Sequence, residues 1–74
     1  MKSPALVPVK SSNIAAVGFH DGKLHVQFKG GGKVYIYDGV PADVHMAMMA
    51  SDSVGRFLAA NIKGRYSHVV AHDR

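Results

Sequence analysis

Five histidines, His20, His25, His45, His68 and His72, are the side chains of this chain best suited to hold a metal or move a proton. Their spacing does not assemble a site. His20 and His25 fall close together on one predicted hairpin, but the other three fall on separate elements. His68 and His72 meet only if the end of the chain is ordered. There is no cysteine, so no thiolate completes a zinc set. Surface histidines, and no metal, are the expectation. Nucleophilic catalysis needs a serine activated by a base that a third group holds. No serine here lies in a recognisable elbow or motif. Gly30-Gly31-Gly32 lacks the Gly-Lys-Ser/Thr ending of a phosphate loop and does not open a helix. A fold this small also leaves little room for a cleft. A protein without catalytic residues, cofactor or enzymatic activity is expected.

Binding chemistry is better represented. Tyr35, Tyr37 and His25 are predicted to form an aromatic patch on an open sheet face, edged by Lys23, Lys29 and Lys33. Such a patch can stack single-stranded bases or anchor a protein. The alternative is that the N-terminal arm or the 65–70 segment covers this face and makes it a second core. Arg56, Lys63 and Arg65 form a second basic group around the last helix, unless they are an ordinary solvated face. The candidate contact residues are therefore Tyr35, Tyr37, His25, Lys29, Lys33, Arg56, Lys63 and Arg65.

The elements that position these residues hinge on Lys33 to Pro41. Val34 to Tyr37 alternate aliphatic and aromatic, as in a strand covered on at least one side. Asp38-Gly39 breaks the strand, and Pro41 suits the first turn of a helix. Before this stretch, residues 13–20 and 23–29 read as two strands. Asp21-Gly22 between them is a type I′ hairpin signal. A two-residue loop pairs His20 with Lys23, Phe19 with Leu24, Val17 with Val26 and Ala15 with Phe28. One face is then apolar, and the other carries Ile14, Ala16, Gly18, His25, Gln27 and Lys29.

The triple-glycine turn leaves two registers open. A three-residue loop sends Val34 and Ile36 to the apolar face and both tyrosines to the other. A two-residue loop does the reverse. The first extends an existing core and is expected. After Pro41, residues 41–50 read as a methionine-rich helix with Val44, Ala47 and Met48 on one stripe. Met46 and Met49 widen its apolar surface, and core filling is the expected use of these methionines. Ser51-Asp52-Ser53 offers N-cap types for a second helix, with Val54, Phe57, Leu58 and Ile62 as its stripe. Gly55 within it suggests close packing, and Gly64 suits a C-cap. The expected fold is α+β: a three-stranded antiparallel β-meander followed by two short α-helices packed on one face of the sheet.

Size and composition bound the rest. At 74 residues, 47% of them hydrophobic, one domain with one core is expected. The net charge of +4 favours acidic partners, whether nucleic acid or an acidic protein surface. The first eight residues, interrupted by Pro4 and Pro8, do not read as a secretory signal, and no stretch is long enough to span a membrane. A monomeric, cytoplasmic protein is expected.

The order of signals resembles the KTSC domain family. Ser11-Ser12-Asn13-Ile14 leads into the first strand, and Tyr35-x-Tyr37 is followed by Gly39-Val40-Pro41. Ser53-x-Gly55-x-Phe57 comes next, closing on Ile62-Lys63-Gly64-Arg65-Tyr66. The resemblance covers residues 10–66, flanked by an extended arm (1–9) and a tail (67–74). It implies a domain found at the C-terminus of some lysyl-tRNA synthetases and alone in bacteria and phages. It also implies no established enzymatic activity, and RNA binding by association with the synthetase. One departure lies after Phe57. Many members carry a further aromatic and then polar or basic residues, where this chain has Leu58-Ala59-Ala60. That detracts from a nucleic-acid role for this helix. A stand-alone chain of this length also resembles small phage transcription regulators. Their resemblance implies contact with bacterial RNA polymerase in the host cytoplasm, displacement of the sigma factor and suppression of termination.

Overall fold

The structure, a computed structural model, describes residues 6–30 and 33–72. Its sheet has five antiparallel strands in sequence order: β1 (Val7–Pro8), β2 (Ile14–His20), β3 (Lys23–Phe28), β4 (Lys33–Tyr37) and β5 (His68–His72). Two helices, α1 (Ala42–Ala50) and α2 (Val54–Asn61), lie between β4 and β5 in the chain. The α+β class stands, but a three-stranded meander is corrected to five strands. The arm supplies β1 and the expected tail supplies β5. Residues 1–5, 31–32 and 73–74 lie outside the described residues. Sequence patterning does not assign the two added strands to the sheet because one is only two residues long and the other pairs with β4 across both intervening helices.

The β2–β3 hairpin follows its turn chemistry. Asp21 and Gly22 both take positive φ, 52° and 76°, and the pairs His20–Lys23, Phe19–Leu24 and Val17–Val26 form. The expected Ala15–Phe28 pair does not. A bulge between Ile14 and Ala16 pairs Ile14 with Phe28 instead. Ile14 thereby joins the core, fully buried, and the smaller Ala15 becomes the extra residue. Burying isoleucine removes more apolar surface from water than burying alanine, which favours the bulge.

The β3–β4 register is the one the two-residue loop gives, contrary to the expected one. Leu24 pairs with Tyr37 and Val26 with Tyr35, so both tyrosines lie on the helix-covered face. Val34 and Ile36 fall on the outer face, half-buried. Tyr37 heads the fully buried side chains by size, and a tyrosine ring covers more area than valine or isoleucine. Filling the space under the helices with the larger ring outweighs the aliphatic match assumed from the sequence.

The core joins Ile14, Val17, Leu24, Val26 and Tyr37 of the sheet to Val40, Met48, Val54, Leu58 and Ile62. In α1, Met48 is buried and Val44 packs against the core. Met46 and Met49 are exposed, so core filling holds for one of these three methionines. The Ser53 side chain caps α2 by accepting from the Arg56 N–H (3.2 Å). Gly64 takes a φ of +82° in the turn that follows. No helix among the described residues is long and apolar enough to cross a membrane.

Candidate nucleic-acid interface

The inward register of β4 splits the predicted tyrosine pair. Tyr37 is 1% exposed, and burial raises the pKa of its phenol. Tyr35, two residues earlier on the same face, is only half-buried. Its ring meets Phe28 edge-on (centroids 5.0 Å apart, 80°), and it stacks on His68 (5.1 Å, 24°) and on Tyr37 (6.4 Å, 25°). Phe28, Tyr35 and His68 thus run as an aromatic row across β3, β4 and β5.

Beside this row lies a cleft of about 380 Å³ lined by Asn13, Phe28, Lys29, Lys33, Tyr35 and Lys63. Three elements deliver its cations. Lys29 follows β3, Lys33 opens β4, and Lys63 sits in the turn after α2. Lys63 is fixed there because its N–H donates to the Leu58 carbonyl (2.9 Å). The Lys29 ammonium donates to the Ser11 carbonyl (2.6 Å), which ties it to the loop before β2. Among the described residues, no carboxylate lines the cleft. Three lysines lining one cleft with an aromatic wall suit an anion carried next to a flat ring.

Four of the eight predicted contact residues therefore converge: Tyr35, Lys29, Lys33 and Lys63. The others do not. Tyr37 is sealed in the core. His25 lies on the opposite face of the sheet, opposite Gly18 and Ile36, and is 8% exposed. Its pKa is lowered, first by burial and then by the neighbouring His20 and Lys23 charges. Arg56 is exposed on α2, beside a shallow depression with Asp52 and Phe57. Arg65 is exposed in the turn after Gly64 and does not line the cleft. Lys23, expected at the patch edge, pairs instead with Asp38 (2.9 Å). That pair raises the lysine pKa and lowers the carboxyl one. Both groups are exposed, so its contribution to stability is small. Phe28 and Asn13 were missed. Both depend on pairings that only the bulge and the β3–β4 register reveal. Among the described residues, no three His, Cys, Asp or Glu side chains are placed to hold a metal ion.

The outer face differs in character. Ala16, Gly18, His25, Gln27, Val34, Ile36, Val69 and Ala71 occupy its centre, and none carries a formal charge at neutral pH. The helices pack on the other side.

The chain that folds into this sheet and pair of helices matches a known family. The KTSC domain model matches residues 10–66, and the chain belongs to that family. It is 38% identical over 64 residues to a protein of Tsukamurella paurometabola, covering 84% of this chain and 94% of the other. It is also similar to the crystal structure of the KTSC domain protein YPO2434 from Yersinia pestis. There the TM-score is 0.84 and the identity 35%, over 93% of this chain and 99% of that one.

Proposed function

We propose that this KTSC domain is a non-enzymatic binding module whose Lys29–Lys33–Lys63 cleft takes single-stranded RNA. The observation that supports it is the convergence of three lysines from three elements on one aromatic wall, with no carboxylate among the described lining residues. Backbone phosphates meet the ammonium groups, and a base lies against the Phe28–Tyr35 wall. Nothing in this arrangement requires base-specific hydrogen bonds, so broad sequence tolerance is expected.

Anisotropy of a labelled single-stranded RNA oligonucleotide tests this. Three phosphate contacts give a slope of log affinity against log salt of about −2. Lys63→Ala is expected to shallow that slope by about 0.7. Tyr35→Ala is expected to weaken binding by about 1–3 kcal/mol. Affinity indifferent to both substitutions would sink the proposal.

A second function, binding to bacterial RNA polymerase as a phage-type transcription regulator, draws on the uncharged outer face. A sheet surface without formal charge, with Val69 exposed on it, suits a protein partner better than a polyanion. In this version the domain displaces the sigma factor and suppresses termination, as the regulators it resembles do. A pull-down with polymerase core enzyme checks it. Failure to retain this protein, or retention unaffected by Ile36→Lys, counts against the outer face.

A further inference from the structure

The sheet ends in two edges, and they are unlike. β1 is two residues long and includes Pro8, which has no N–H to offer. β5 is five residues long and pairs with β4 in unbroken register from Tyr37–His68 to Lys33–His72. It carries no proline and no Lys, Arg, Asp or Glu. Folded proteins ordinarily blunt such an edge with charge, proline or a bulge, because its free backbone groups invite another strand.

The direction of those groups follows from one hydrogen bond. The Asp38 N–H donates to the Ser67 carbonyl at 3.0 Å, one step beyond the Tyr37–His68 pair. Ser67 therefore turns its backbone toward β4. Direction alternates along an antiparallel strand, so Val69 and Ala71 also face β4. His68, Val70 and His72 turn their N–H and C=O groups outward. The sequence His68-Val69-Val70-Ala71-His72 reads nearly the same both ways about Val70. An identical antiparallel strand centred there sets Val70 opposite Val70, Val69 opposite Ala71 and His68 opposite His72. All three outward-facing residues then fall in hydrogen-bonded pairs. Val69 and Val70, 63% and 43% exposed, would be covered.

We infer that β5 is the pairing edge for a second copy of this chain, giving one ten-stranded antiparallel sheet about a two-fold axis at Val70. The axis runs perpendicular to the sheet, so the helices of both copies stay on the same side. The contact is isologous and uses up both β5 edges, so assembly stops at the dimer. It departs from the monomer expected from the sequence.

Sedimentation velocity of the full chain over a wide concentration range tests the inference. The 7.9 kDa protein is expected to approach twice that mass as concentration rises. Val70→Lys sets two ammonium groups against each other at the axis and is expected to stay monomeric. Met46→Lys, on an exposed residue of α1, is expected to associate like the parent. Amide exchange of the unmodified protein gives a second readout. The Val70 N–H should exchange more slowly in concentrated than in dilute samples, while the Val69 N–H, already bonded to β4, should not change. A parent protein monomeric throughout, a Val70→Lys variant that pairs normally, or a Val70 amide indifferent to concentration would each overturn it.

Discussion

A Cβ placed on Gly55 would stand 2.7 Å from Asn13 Oδ1 and 3.1 Å from Ser11 Oγ. The close packing suggested by a glycine inside a helix is thus real, and its partner is the loop before β2. That loop is tied together locally. Ser11 Oγ donates to Asn13 Oδ1 (3.0 Å) and accepts from the Ile14 N–H (3.2 Å). Gly55→Ala gains about 1 kcal/mol of helix propensity but displaces Asn13 from this loop. We expect a net loss of stability for Gly55→Ala alone, and a gain when Asn13→Ala is already present. A double-mutant cycle of thermal melts reads that coupling directly. The histidines matter at this scale too. His45 stacks on Phe19 (4.7 Å, 7°), and burial lowers its pKa, as it lowers that of His25. The unfolded chain then binds more protons just below the ordinary histidine value of 6.5. Their contribution is complete above that value and is lost as the pH falls through it toward the folded pKa values. The melting temperature should therefore be lower at pH 5 than at pH 7.5, and His45→Phe should flatten the dependence. A parent melting temperature constant across that range contradicts this.

At the scale of elements, the hairpin and both helices were legible because each has a local cause. Asp21-Gly22 sets a turn type, Ser53 caps a helix, and Val54, Leu58 and Ile62 bury one stripe. The β3–β4 register was not legible, because it is decided across the core, where Tyr37 is buried in one cluster with Met48 and Leu58. That register makes an asymmetric prediction. Tyr37→Ala should cost about 3–5 kcal/mol, a large part of the stability of a domain this size. Ile36→Thr, on the outer face, should cost below about 1.5 kcal/mol. Chemical denaturation of the two variants distinguishes the registers, and the reverse ranking would refute the inward tyrosines. The candidate site was half legible for the same reason. Lysines are easy to nominate, but the register and the turn after α2 decide which of them meet. The pieces of this sequence that carry the family resemblance now have physical roles, mostly in the scaffold. Asn13 abuts Gly55, Tyr37 fills the core, Val40 donates to the Gly22 carbonyl (2.9 Å), and Gly64 turns the chain.

For the whole molecule, the strands lie in the sheet in chain order, so β1 to β4 pair across short connections. β5 is the exception, because both helices intervene between Tyr37 and His68. Closing a loop of about 30 residues costs roughly 3 kcal/mol in chain entropy, and the two-residue β2–β3 turn avoids most of that. The hairpin should thus nucleate folding and β5 should dock last. In stopped-flow kinetics, Val69→Ala should speed unfolding and leave the folding rate nearly unchanged, whereas Val17→Ala should slow folding. Equal effects of Val69→Ala on both rates would place β5 in the transition state. Late docking also bears on the aromatic row. His68 rides on the last strand to arrive, so Tyr35 acquires its stacking partner only when the meander closes. The third ring of the row is therefore a late product of folding, and any transient opening of β5 strips Tyr35 of His68 while leaving the Phe28–Tyr35 contact and the hairpin core intact.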